Sequence, residues 1–481
     1  MKYRYIGVVT CAMMCAALPS LAVDLGVLEL GETRVHQFKA ELGTFTVPEN
    51  RSDPNSNVIT LAVMRVKSLN PNAGPPIFIL AGGPGGSSIN NLADYLEVSD
   101  RLLDLGDIIA VDQRGVGRSR PVLSRLFMRK LPLDEPVRRA DVVAAYCKVI
   151  EESKAYWHEK GVDLNGYTTP EAADDIDAVR EAMGYDSMRL FGRSYGSHLG
   201  LSIIRRHGDK VAGAVLQGIE GPNHTFKTPR QIERGLEDLD ALVARDKDLN
   251  EQIPSFLSLV RRVLKKFKKG PIYVEADLGG NLGVQTVAVS KFDVQNWTAN
   301  SIGRRSALVK VPATYYAMAH GDFSIIADYA AQMRTVAVVS AMAAVTDCAS
   351  GMTEERRARI KKEAKRAVLG DSANFPYPDV CDCWGVQDLG DEFRGPLESD
   401  VPVLLMCGAF DSRTPIANAL ELTPSLINSR LVVVRNAGHD SRLFTSPESV
   451  DAAIAFFEDG TVESEIIDMP PIRFQRLGNY E

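Results

Sequence analysis

The stretch RLFGRSYGSHLG, Arg189 to Gly200, decides how the rest of the chain is read. A short apolar run ends in Gly192-Arg193-Ser194-Tyr195-Gly196, and a helical pattern follows. A small polar residue between two glycines is either part of a tight loop or a nucleophile held on a strained turn. In the second case a strand-to-helix turn pushes the serine hydroxyl out above a sheet. Side chains at the flanking positions would then collide with the adjacent strand and helix, so glycine is needed there.

Two further stretches favour the nucleophile. LLMCGAFDSRTP places Asp411 in a loop after the apolar run that begins at Val401. VVVRNAGHDSR places His439 in a loop after the run that begins at Arg430. The chain order Ser194, Asp411, His439 is the one expected of an α/β-hydrolase, and loops at the carboxyl ends of parallel strands are where ligands bind in open α/β sheets. His439 would take the Ser194 proton, and Asp411 would hold the imidazole. On paper Asp440 or Asp391 could stand in for Asp411. His198, one turn into the following helix, reads as a packing or solvated residue.

Acyl transfer also needs donors for a developing oxyanion. ILAGGPGGSS supplies glycines after another apolar run. Pro84 has no N–H, so Gly83 is the expected donor, with Gly82 second and Tyr195 N–H as partner. No Gly-Lys-Ser/Thr follows, which argues against a phosphate cradle. In VDQRGVGRSRP, from Val111 to Pro121, Arg114 and Gly115 shape a loop beside the site and Asp112 bonds backbone.

The apolar runs alternate with helical patterns. PIFILAGG, DIIAVDQRG, RLFGRS, VAGAVLQG, VPVLLMCG and RLVVVRNAG read as strands buried on both faces. TTPEAADDIDAVREAMG reads as a helix with Thr169 as cap, Pro170 first inside and Gly184 as stop. GTFTVPENRSDPNSNVITLAVMRV, Gly43 to Val66, reads as two further strands around a turn-rich loop. The expected fold is α/β, a mostly parallel sheet with helices on both faces. From about Gly221 to Asp400 the alternation stops. That segment is mainly helical, with one hairpin around PIYVEADLGGNLGVQTVAV, and reads as an inserted lid between core segments 23–220 and 401–481.

Composition narrows the class. The 481 residues are 45% hydrophobic and 24% charged, with a net charge of −7, which is ordinary globular composition without a polyanion-binding footprint. Nucleic acid is therefore not an expected partner. The basic run RRVLKKFKKG, Arg261 to Gly270, has its cations at helical spacing and reads as a solvated helix face. The first residues carry Lys2 and Arg4, an apolar core and Ser20-Leu21-Ala22, the pattern of a secretory signal cleaved after Ala22. The remainder has no stretch apolar enough to span a bilayer. Five cysteines follow the leader. Export permits disulfides, and Cys348 with Cys381 or Cys383 is the preferred pair, while Cys407 reads as a buried thiol. Cys381-Asp382-Cys383 lacks zinc-knuckle spacing, so no metal is expected, and no cofactor.

Taken in order, GGPGG, DQRGVGRSRP, GRSYGS, GAFDSRTP and NAGHD resemble the exported tripeptidyl-aminopeptidase and proline-iminopeptidase branch of the α/β-hydrolases, peptidase family S33. The resemblance implies a Ser194–Asp411–His439 triad and cleavage of short peptides from their N-termini. The cysteines near Cys348 and before Trp384 look like the family's C-terminal pattern. Ala81 stands where proline iminopeptidases have histidine before the glycines, and their lid glutamates have no match by motif. An aminopeptidase needs a carboxylate for the substrate ammonium, and Glu220 is the candidate. The triad itself does not separate peptide from ester substrates, so a carboxylesterase is the alternative, and an inactive hydrolase-fold binding protein a third. Oligomeric state is not legible.

Overall fold

In a computed structural model, residues 25–98, 100–280, 282–441 and 446–478 are described. The leader reading lies outside them. Ten strands form the main sheet: β1 (Leu28–Val35), β2 (Phe38–Pro48), β3 (Val58–Val66), β4 (Ile77–Leu80), β5 (Ile108–Asp112), β7 (Met188–Arg193), β8 (Val211–Gln217), β12 (Val403–Gly408), β13 (Ser429–Arg435) and β14 (Ile466–Asp468). Two small sheets use β6 (Ser124–Lys130) with β11 (Thr335–Ser340), and β9 (Ile272–Asp277) with β10 (Val284–Val289). The order in the main sheet is β1-β2-β3-β5-β4-β7-β8-β12-β13-β14. Pairing is antiparallel from β1 to β5 and parallel from there to β14.

All six apolar runs became strands of this sheet. The central ones are buried because helices cover both faces, while β13 is buried only at Val432 and Val434. Phe78, Leu190, Leu216 and Leu405 point into one core, and Ile79, Phe191, Val215 and Met406 into the other. This is the period-2 division of a doubly covered strand. The helix Thr169–Ala182 is capped one residue earlier than expected. The Thr168 hydroxyl accepts from Glu171 N–H, and Thr169 is buried with its hydroxyl 3.1 Å from that of Tyr195.

Between β8 and β12 lies the mainly helical segment, and β9–β10 is its hairpin. One core within it gathers Leu236, Leu239, Val260, Tyr315 and Ile326, and the chain's last described residues return to it through Ile472, Phe474 and Leu477. A second core packs Val338, Val345 and Trp384 against Val149 and Trp157 of the helix Arg139–Glu159. The basic run behaves as a solvated face. Val263 and Leu264 are buried while Arg261, Arg262, Lys265 and Lys266 are exposed. Cys348 bridges Cys381, one of the two expected pairings, and Cys147 bridges Cys383, a pairing the sequence leaves open. Cys407 is a buried free thiol, pushed up to about 12 by burial.

Candidate active site

Ser194 is the hinge between β7 and the helix Tyr195–His207, with φ 55° and ψ −124°. That region is unfavourable for a residue with a side chain, by roughly 1–3 kcal/mol, and persists only where the surroundings enforce it. The flanking glycines are the enforcement. A Cβ on Gly196 would lie 2.0 Å from the Leu80 carbonyl oxygen, and one on Gly192 would lie 2.4 Å from that of Gly196. Ser194 N–H donates to Gln217 of the next strand at 2.8 Å.

The hydroxyl lies 3.2 Å from His439 Nε2, and His439 Nδ1 lies 2.9 Å from Asp411 Oδ2. With Nδ1–H donated to the carboxylate, Nε2 is left to accept from Ser194. Asp411 is held in turn. Its Oδ1 accepts from Arg413 N–H and Thr414 N–H, both at 2.8 Å, and its Oδ2 accepts from the Thr414 hydroxyl at 2.7 Å. Gly218, at φ 62°, faces this cluster, and a Cβ there would lie 3.1 Å from Thr414 Oγ1. The other two acids do not join it. Asp440 accepts from Arg305 N–H and Ser306 N–H, and Asp391 pairs with Arg394.

Gly83 and Gly82 stand at the carboxyl end of β4, and both line the same cavity as Ser194 and His439. A Cβ on Gly82 would lie 3.1 Å from Ser194 Cβ, so the glycine loop rests directly on the turn at Ser194. Among the described residues neither Gly83 N–H nor Tyr195 N–H donates to another group of the chain. Asp112 bonds the loop's hydroxyl and amides, accepting from Ser87 Oγ at 2.6 Å, Ile89 N–H and Arg118 N–H. Arg114 is sealed behind it on Asp175 and the Glu49 and Gly166 carbonyls. His198 is buried, its Nδ1 3.1 Å from the Gly221 carbonyl oxygen, and burial lowers its pKa.

The cavity has a volume of about 390 Å³ and mixed charge. Glu220 lines it as expected, but its carboxylate is 3.3 Å from Lys227 Nζ. Asp347, from the helix Ala341–Ser350, lines it too and forms no direct ion pair among the described residues, although the Lys227 and Arg413 charges act on it. Burial first, and the Glu220 charge second, push its carboxyl up to about 8. Sequence reading missed Asp347. Its one signal was adjacency to Cys348, since a bridged cysteine fixes the direction of its neighbour. Among the described residues no cluster of histidine, cysteine and acidic side chains could hold a metal ion.

Residues 75–323 match the model of the alpha/beta hydrolase fold, and residues 370–467 match that of TAP-like proteins. The chain belongs to the α/β-hydrolase family. Among its relatives is the serine protease Hip1 of Mycobacterium tuberculosis, 28% identical over 192 residues, 38% of this chain and 36% of that protein. The tripeptidyl aminopeptidase of Streptomyces coelicolor is 30% identical over 193 residues, again 38% and 36%. These matches thus span about a third of those relatives' length. The putative hydrolase YuaR of Escherichia coli is 23% identical over 426 residues, 84% of this chain and 81% of that one. A solved proline iminopeptidase from Mycobacterium smegmatis aligns over 86% of this chain and 97% of its own at 16% identity, with a TM-score of 0.41. Among the described residues no helix is long and apolar enough to cross a membrane.

Proposed function

We propose that this chain is an exported serine peptidase that removes residues or short peptides from peptide N-termini. The hydrogen-bonded run from Asp411 through His439 to Ser194, opening on a cavity that also holds carboxylates, carries the reading. Ser194 Oγ attacks the scissile carbonyl as its proton passes to His439 Nε2. Gly83 and Tyr195 N–H groups receive the oxyanion. When the intermediate collapses the C–N bond breaks, and His439 hands its proton to the leaving amine. Water then repeats the cycle on the acyl-enzyme, regenerating Ser194. The segment between β8 and β12 serves as a lid that admits only short chains.

Recognition of the free N-terminus falls to the acidic wall. Asp347 faces the substrate ammonium, and Glu220 adds negative potential although Lys227 offsets it. The names of two relatives, tripeptidyl aminopeptidase and Hip1 serine protease, agree with peptide substrates. Two disulfides fit an oxidising compartment, and with it the leader at residues 1–22.

The test is a matched panel of alanyl and prolyl peptide nitroanilides, free or N-acetylated, together with short acyl esters. Cleavage of the free peptides should fall at least tenfold on acetylation. Ser194→Ala should lower turnover by about a thousandfold or more while the circular dichroism spectrum is kept. Ester cleavage alone, indifferent to any amine, would move the chain to the carboxylesterases. No turnover and no reaction with a fluorophosphonate would leave a binding protein.

A further inference from the structure

The charged groups on the cavity wall can be matched one by one. Arg193 donates to the His439 carbonyl at 2.6 Å, and Lys227 lies on Glu220 and the Thr225 carbonyl. Three groups are left over: Asp347, Arg304 and Arg413. The partly buried Arg413 makes one side-chain hydrogen bond among the described residues, a long one of 3.5 Å to Asn300 Oδ1. No ion pair among the described residues includes Arg304 or Arg413. The chain's well-buried arginines differ in this respect. Arg114 lies on Asp175, Arg334 on Asp293 and Arg394 on Asp388.

A guanidinium carries five N–H donors in a planar fork that matches a carboxylate. Two such groups on one wall repel each other, and although the Glu220, Asp411 and Asp347 charges act on Arg413, none of them forms an ion pair with either arginine among the described residues. Burial, and then the Arg304 charge, lower the Arg413 pKa accordingly. Arg413 also belongs to the loop that positions the proposed catalytic acid, since its own N–H holds Asp411. Whatever anion docks there is therefore bound beside the reacting centre.

We propose that Arg304 and Arg413 form a carboxylate-binding subsite, so that the preferred substrates carry an ammonium at one end and a carboxylate at the other. This rests on the peptidase reading and names its substrate class, short zwitterionic peptides. The carboxylate comes either from the free C-terminus of a di- or tripeptide or from an acidic side chain.

Binding to the full-length Ser194→Ala protein, measured by calorimetry, tests this without requiring turnover. One arm compares alanyl di- and tripeptides as free acids and as amides. The other compares glutamyl with glutaminyl peptides, all amidated. At least tenfold tighter binding of the acid in one arm is expected, and that arm identifies the source. Arg304→Gln and Arg413→Gln should each reduce the ratio to within about threefold. Arg304 is exposed, so its variant carries the test should the other not fold. Equal affinities in both arms, or a preference that survives both substitutions, overturn the subsite. The same peptides are offered to the wild-type enzyme, where kcat/KM ratios report the preference should Ser194→Ala not fold. Amine-dependent cleavage without acid preference overturns the subsite and spares the peptidase. Acid preference without cleavage does the reverse.

Discussion

Asp347 shows how one side chain can be set by its surroundings against its own ionisation. Its folded carboxyl titrates near 8, while in the unfolded chain it would do so near the ordinary value of about 4. Between those values the folded chain holds a proton that the unfolded chain has released. Fewer protons are then bound in the unfolded state, so this residue's contribution to stability falls as pH rises from about 4 to about 8. Asp347→Asn removes the slope. The variant should be more stable than wild type at pH 8, with the difference shrinking toward zero at pH 4. Urea midpoints at pH 4, 6 and 8 measure it, and a gap that widens toward pH 4 would contradict the assignment. A bound ammonium would draw the proton off, so a binding group that costs stability when empty is consistent with the proposed role. Ser194 follows the same pattern, since its backbone conformation is unfavourable and is kept only by glycines that leave no alternative.

Between elements, the His439 loop is fastened to the inserted segment. His439 N–H donates to the Gly303 carbonyl at 2.7 Å, and the Asp440 carboxylate accepts from Arg305 N–H at 2.6 Å and Ser306 N–H at 3.0 Å. Asp440 thus caps the short helix Arg305–Leu308 and, in the proposed mechanism, would act on the reaction through its neighbour His439. Asp440→Ala should lose about 1 kcal/mol as a cap. It should also lower kcat by tenfold or more, with KM for a peptide amide that carries no carboxylate within about threefold, because His439 loses alignment while such a substrate does not use the neighbouring Arg304. Asp440→Asn keeps one acceptor oxygen and should recover part of kcat. A loss of stability with unchanged kcat would make the residue merely structural. The strands that carry the proposed triad were legible because burial on both faces leaves long apolar runs, each ending in glycine or a turn. β1, LELGETRV, was not, since it is a largely solvated edge strand without such a run. β6 and β11 escaped for another reason. They pair across more than 200 residues, and neither is a strand without the other. Thr168 rather than Thr169 caps its helix because two adjacent threonines offer the same chemistry, and packing against Tyr195 decides between them. Arg413 was not legible as a candidate site residue, since the direction of its side chain is set by tertiary packing, and Asp347 had only its adjacency to the bridged Cys348 as a signal.

Across the whole molecule, Cys381 and Cys383 sit on one short helix, Cys381–Trp384, and each fastens a different partner to it. Cys383 reaches Cys147 on the helix Arg139–Glu159, which belongs to the chain before β7. Cys381 reaches Cys348 on the helix that carries Asp347. The first bridge closes a loop with a sequence separation of 236 and joins the inserted segment to the core. The second, with a separation of 33, orients one wall of the cavity. Their removal should therefore differ in kind. Cys147→Ala with Cys383→Ala should cost about 2–5 kcal/mol, read as a lower denaturation midpoint, with amine discrimination kept by the fraction that is folded. Cys348→Ala with Cys381→Ala should also destabilise, and in addition raise KM for free peptides while leaving that for N-acetylated ones little changed, because Asp347 loses its fixed direction. Midpoints and KM values for both pairs of variants make the comparison. If the two double variants lost stability and amine discrimination in equal proportion, the bridge at Cys348 would have no particular tie to the ammonium wall, and Asp347 would have to be held by the packing of Val345 and Trp384 alone.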